Sequence, residues 1–229
     1  MAPSYDRLVP PPLSDADGPP RSPTPPRTWF ERDPVELAAL LLGGVLTRAD
    51  DAGTVALRVT EVEAYRGSDD PGAHTFRGRT ARNATMFGPG GHLYCYFTYG
   101  MHHALNVVAG PEGSGWGVLV RAGEIVEGRA LAMARRSTRP RRTPLVEPAR
   151  GPGNVAQCFD ATLADDGADL LGPTWSFVPP ATPLPHETGP RVGVSGPGGD
   201  GVAFPWRLWL PGEPSVSAYR PGARRKTGG

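Results

Sequence analysis

The stretch Thr54–Tyr65, TVALRVTEVEAY, decides how the rest of the chain is read. Its first half alternates as a strand does, with Val55, Leu57 and Val59 on one side and Thr54, Ala56 and Arg58 on the other. Unbroken alternation then puts Glu61, Glu63 and Tyr65 on the side of the valines, and Thr60, Val62 and Ala64 opposite. An inward acid costs free energy unless it is paired or at work. On the sequence alone two resolutions stand open. Either the sheet ends near Thr60 and both acids reach water, or the strand delivers an acid into a site.

Upstream, Asp33-Pro34-Val35-Glu36 predicts a helix start, with Asp33 as N-cap, Pro34 at the first position and Glu36 in capping-box position. The helix VELAALLL stops at Gly43-Gly44. VLTRA and a turn at Asp50 to Gly53 pair with the quoted strand. Downstream comes a long polar loop, RGSDDPGAHTFRGRTARNATMFGPGG, of the kind that is functional or disordered. LYCYFTYG is an aromatic strand, and MHHALNVVAG is its hairpin partner with the turn near Gly100. GWGVLVRAGE is a further strand, EGRALAMARRS a helix and GPGNVAQCF the opening of a short helix. SFV, RVGV and WRLWL are expected as short strands. A few helices among mostly adjacent short strands give an α+β class, one mixed domain with a largely antiparallel sheet. Residues 1–28, rich in Pro, are expected to be disordered; the domain spans 29–219, and 220–229 form a flexible tail.

Composition narrows the classes. The 229 residues are 38% hydrophobic and 21% charged, enough for a core, while 31 Gly and 28 Pro favour a loop-rich fold over a helix bundle. No apolar run approaches the ~20 residues of a membrane span, and no secretory signal is visible. Cys95 and Cys158 are too few for a disulfide scaffold and point to a reducing cytoplasm. A net charge of +1 argues against a non-specific nucleic-acid coat, though not against a protein that grips a few phosphates. Lys226, in the tail, is the single lysine. A core lysine nucleophile is therefore unavailable.

The residues with chemical potential cluster between Glu61 and Arg121: the two acids, the rings of Tyr65, His74, Tyr94, Tyr96, Phe97 and Tyr99, and the loop arginines Arg77, Arg79 and Arg82. Each has a bland reading as core aromatic or solvated cation. Yet both faces of the strand Tyr94–Tyr99 carry flat rings, and rings beside cationic loops suit stacking of bases and holding of phosphates. Metal chemistry is the competing idea. His102 and His103 point to opposite faces of a strand, and no HExxH or paired-cysteine motif is present. A metal-dependent hydrolase would have to use His74 and Glu63. Cys95, in an aromatic strand, reads as an inert buried thiol.

EVEAY, Ala73-His74, TARNATMFGPGGHLYCYFTYGMHHALNVV, VLVRAGE, GPGNVAQCF and RVGV followed by WRLWLPG closely resemble the alkyladenine (3-methyladenine) DNA glycosylase family over roughly Pro34 to Tyr219. The resemblance implies a curved antiparallel sheet with flanking helices and a protruding hairpin, LYCYFTYGMHHALNVV. It implies double-stranded DNA containing damaged purines as partner, no cofactor or metal, no membrane, and a monomer. Tyr99 would enter the minor groove and fill the space of an extruded nucleotide. Tyr65, His74 and Tyr96 would hold the extruded base, and Asn106 would exclude unmodified guanine. Glu63 would activate water, with Arg121 beside it. In physical terms the base must leave the stack to be reached, and one carboxylate can both stabilise an oxocarbenium-like sugar and take a proton from water. The shortage of lysine agrees with a monofunctional enzyme. One departure is Asn154, where the family often has lysine. A non-catalytic nucleic-acid-binding domain of the same fold is the alternative; duplex binding without base release would mark it.

Overall fold

Strand β2 (Gly53–Arg66) does not end at Thr60. It runs for 14 residues and carries both acids inside, each 0% exposed, so the reading in which they reach water is overturned. The structure, a computed structural model, describes residues 24–98, 102–136 and 147–222.

On one edge β2 pairs with β5 (Trp116–Glu127). On the other edge β1 (Val45–Asp50) covers the first half, and β8 (Arg207–Trp209) covers Glu61 to Glu63. Outward from these lie β4 (His102–Ala109) on β5, β3 (Leu93–Thr98) on β4, β6 (Trp175–Val178) on β1 and β7 (Glu187–Gly189) on β8. Every pairing is antiparallel, in an eight-stranded sheet. Short connections account for the β1–β2, β3–β4 and β4–β5 pairs, in line with the α+β expectation, while the other pairs join strands farther apart in the sequence.

The two carboxylates are explained by register. Between β2 and β5 the partners run Val59↔Gly123, Glu61↔Ala122, Val62↔Val120, so Thr60 and Arg121 are each skipped. A bulge of this kind adds one residue and turns the following side chains to the other face. The core residues change parity accordingly: Val55, Leu57 and Val59 before the bulge, Val62 and Ala64 after it. On β5 the same shift separates Ile125 from Val120 and Val118. Simple alternation had joined Glu61, Glu63 and Tyr65 to the valine face. They in fact leave the core at the bulge, and Glu63 and Tyr65 share a cavity with Leu119 and Arg121. Thr60, at the irregularity, shares a hydrogen bond of 2.8 Å with Ser215 Oγ.

Helix α1 (Pro34–Leu41) begins as expected, with Asp33 accepting from the Val35 amide at 2.9 Å. Glu36 instead receives Arg32 Nε at 3.1 Å. Leu37, Ala38 and Leu41 enter the core with Phe30 and Phe177. The chain turns away at Gly43, whose φ of 80° suits only glycine, and its amide donates to the Val59 carbonyl. Helices α2 (Arg129–Arg136) and α3 (Pro152–Phe159) flank the sheet. RVGV is not the strand expected of it: Arg191–Val194 is irregular, with a turn at Val192-Gly193.

Among residues 66–91, 3-10 turns form at Gly67–Asp69 and Ala81–Phe87. Asn83 organises them. Its side chain exchanges a capping box with Thr80 and donates to the carbonyls of His74 (3.0 Å) and Gly78 (3.1 Å). At 3% exposure Asn83 is a structural residue.

Candidate active site

Four strands deliver side chains to one cavity of about 370 Å³. From β2 come Glu63 and Tyr65, from β3 Tyr94 and Tyr96, from β4 Asn106, from β5 Leu119 and Arg121. His74 enters from the loop that Asn83 pins, and Val192 closes the opposite side. The volume lies within the range of about 300–1,000 Å³ usual for small-ligand sites.

Glu63 forms the acidic floor. Every neighbour that meets its oxygens is a donor: the Val192 amide at 2.7 Å and Arg121 Nη1 at 3.1 Å on Oε1, and Tyr65 Oη at 2.8 Å on Oε2. The carboxylate is thus held in one orientation while its side chain still borders the cavity.

Arg121 bridges the two acids, since its Nε also donates to Glu61 Oε1 at 3.0 Å. Glu61 accepts three more bonds, from Arg207 Nε at 2.7 Å, the Ser217 amide at 2.8 Å and Ser217 Oγ at 2.9 Å. Glu61 is therefore saturated by protein donors and does not line the cavity. Burial by itself pulls the Arg121 guanidinium down, but the charges of Glu63 and Glu61 outweigh it and leave its pKa raised. Arg121 is a fixed cation at any working pH.

The rings form the walls. Tyr94 and Tyr96 stack at 5.2 Å between centroids, and His74 meets Tyr96 edge-on at 4.6 Å. Arg82, from the same loop, donates to the Phe97 carbonyl at 3.0 Å and lies 6.0 Å from the Tyr96 ring centroid. His74 keeps one side open to solvent, yet desolvation by its neighbours and then the charge of Arg82 lower its pKa. The imidazole is accordingly neutral near pH 7, with one ring nitrogen as donor and the other as acceptor. Tyr65 shifts the other way: burial, then the adjacent Glu63, raise its phenol well above the ordinary value, so it stays a donor. Asn106 is buried, and its amide is fixed by donating to the Tyr94 carbonyl at 3.4 Å.

Sequence comparison supplies the identity. The family model for methylpurine-DNA glycosylase matches residues 28–214. A relative from Leifsonia xyli, named as a 3-methyladenine DNA glycosylase, is 54% identical over 198 residues, covering 86% of this chain and 92% of its own. A protein of the same name from Streptomyces avermitilis is 47% identical over 205 residues, with 87% and 93% covered, and one from Corynebacterium efficiens 44% over 184 residues, with 80% and 90% covered.

The chain belongs to the methylpurine-DNA glycosylase family.

In this member of the methylpurine-DNA glycosylase family, six residues singled out in the sequence meet in the one cavity: Glu63, Arg121, Tyr65, His74, Tyr96 and Asn106. The seventh, Tyr99, lies outside the described residues. The strands on either side of it are paired up to Thr98↔His102. His102 and His103 diverge as expected: Gly153 lies close to His102, while the ring of His103 lies 5.2 Å from Phe97. Cys95 is 2% exposed, and burial pushes its thiol up to about 12, which suits an inert residue. Among the described residues no three His, Cys, Asp or Glu side chains are grouped to hold a metal ion.

Sequence reasoning missed the donors that hold the acids. Val192 stands in RVGV, noted only as a pattern, and Arg207 and Ser217 lie far along the chain. No local signal pairs them with Glu61 and Glu63. Asn154 is not in the base-sized cavity. It borders a second cavity of about 610 Å³ with Arg150 and Arg220, across Arg121 and Val192, and donates to the Arg150 carbonyl at 2.5 Å.

Proposed function

We propose that this protein is a monofunctional DNA glycosylase that draws an alkylated or deaminated purine out of duplex DNA and hydrolyses its N-glycosidic bond. The observation that carries the reading is Glu63, a fully buried carboxylate bordering a ring-lined cavity of single-base size and oriented by Arg121, Tyr65 and the Val192 amide. A base inside a duplex cannot reach such a recess; the nucleotide must be turned out, at a cost of a few kcal/mol that is smallest for damaged pairs. The rings of Tyr65, His74 and Tyr96 then receive it. Stacking on a cationic alkylated purine gains on the order of 1–2 kcal/mol more than on a neutral one in a desolvated site.

As the glycosidic bond lengthens, the electron pair moves to the base and the sugar becomes cationic. The Glu63 carboxylate stabilises that charge and accepts a proton from the attacking water. Arg121 and the Val192 amide keep the carboxylate aimed, and Arg121 offsets the charge of two buried acids. The shortage of lysine, with Lys226 alone in the tail, agrees with a route that forms no Schiff base and leaves an abasic site in an uncut strand. Tyr99, the residue after Thr98 in the sequence, is proposed to fill the gap left by the extruded nucleotide. Exposed Arg77, Arg79, Arg82, Arg150 and Arg220 supply local positive charge for phosphates despite the small net charge.

The deciding experiment is single-turnover base release over duplexes that each carry one lesion: 3-methyladenine, 7-methylguanine, hypoxanthine or ethenoadenine. Release of at least one base, with the strand left intact, is expected. Tight duplex binding with no release from any would replace the enzyme by a binding domain.

A further inference from the structure

The reaction so described leaves one buried cation beside the cavity without a task. Arg191 is 1% exposed. Its terminal nitrogens hold Asp70 in a bidentate pair, at 2.5 and 2.6 Å, and donate to the carbonyls of Ala64 at 2.9 Å and Gly198 at 2.7 Å. Its guanidinium carbon stands 4.5 Å from the centroid of the Tyr65 ring. Burying an ion pair is expensive, and a neutral side chain would anchor the same loop at lower desolvation cost.

The consequence lies in what the Tyr65 ring can still offer a ligand. One side of the ring is occupied by the guanidinium, so an incoming base meets the remaining face or edge. A cation behind an aromatic ring draws on its negative π face and repels a second positive charge in front of it. Asp70, bound to that cation through both oxygens, offsets the field. The balance between Arg191 and Asp70 therefore determines how well Tyr65 tolerates a cationic ring relative to a neutral one of equal size. Arg191 also grips the Ala64 carbonyl, between Glu63 and Tyr65, and the amide of its neighbour Val192 holds Glu63. A purely mechanical role would therefore weaken all substrates alike.

We propose that Arg191 is a positioning residue that sets, through Tyr65 and in balance with Asp70, the discrimination of the pocket between cationic and neutral purines. The proposal rests on reading the cavity as a base pocket.

The test compares equilibrium binding of two duplexes, one carrying 2′-fluoro 7-methylguanine, which is cationic and resists hydrolysis, the other 7-deaza-7-methylguanine, its neutral isostere. Asp70→Asn leaves Arg191 unbalanced and should shift the affinity ratio against the cationic base, roughly three- to tenfold. Arg191→Met leaves Asp70 unbalanced and should shift the ratio the other way. The double variant, Asp70→Asn with Arg191→Met, should fall between them. Loss of packing lowers both affinities together and cannot produce shifts of opposite sign. An unchanged ratio in folded Asp70→Asn, or single variants that shift the same way, overturns the proposal. If Arg191→Met does not fold, Asp70→Asn and the double variant decide it. Wild-type protein that discriminates between the duplexes but releases no base sinks the glycosylase reading and leaves the ratio to judge Arg191; wild-type protein that binds neither duplex overturns both.

Discussion

Tyr65 Oη donates to Glu63 Oε2 over 2.8 Å, from two residues further along the same strand. The bond couples the ring that would stack on a base to the acid that would activate the water attacking its sugar. Because burial and Glu63 itself raise the phenol well above its ordinary value, the proton stays on the tyrosine and the acid keeps its donor. A shift of Tyr65 is then also a shift of Glu63.

Glu63→Gln should retain binding to lesion duplexes and lose base release by about 10²–10⁴-fold or more. The amide keeps the shape but cannot take a proton from water. Single-turnover release beside a binding titration measures this, and a near wild-type rate would remove Glu63 from the mechanism.

Glu61→Gln should act on folding. Glu61 meets two buried guanidiniums and two Ser217 donors, and its charge offsets Arg121 and Arg207. Removing one partner of a buried ion pair costs about 3–5 kcal/mol. In a chain of this size each kcal/mol is about 2–4 °C in melting temperature. Calorimetry of Glu61→Gln and Glu63→Gln side by side should show the larger loss at Glu61. Equal melting temperatures together with equal loss of release would merge the two acids into one role.

Arg82→Gln should raise the pKa of His74, because removing a nearby positive charge favours the imidazolium. It should remain below the ordinary 6.5, since desolvation is the first cause of the depression and survives the change. NMR titration of the His74 ring reads this directly. In the wild type His74 stays neutral as pH falls through 6.5, so release of neutral lesions should hold to a lower pH than in Arg82→Gln. An unmoved titration would mean that the Arg82 charge does not reach the ring.

Asn106→Ser should relax the rejection of ordinary guanine. The buried amide, fixed on the Tyr94 carbonyl, lines the cavity, and in the proposed function it would clash with the exocyclic amino group of guanine. Release of unmodified guanine should rise about tenfold while release of hypoxanthine changes little. Parallel changes on both bases would make Asn106 a packing residue.

Much of the fold was legible in local pattern. Asp33 with Pro34 marks the start of α1, Gly43 its end, and adjacent alternating segments give antiparallel neighbours, because caps, glycines and period-two burial are properties of a few consecutive residues. The six cavity residues were legible as well, by their resemblance to a known family and by the density of rings and acids between Glu61 and Arg121. What the sequence alone could not determine is which way those acids face. Alternation put Glu61 and Glu63 on the core side. The bulge that skips Thr60 and Arg121 exists only because β2 and β5 pair with unequal steps, and that pairing joins residues some 60 positions apart. Likewise donors on Glu63 and Glu61 come from Val192, Arg207 and Ser217, brought near by β8 and the segments before and after it. A strand's own sequence sets its period, but the phase of that period relative to the core is set by its partner, so the site was decided in three dimensions.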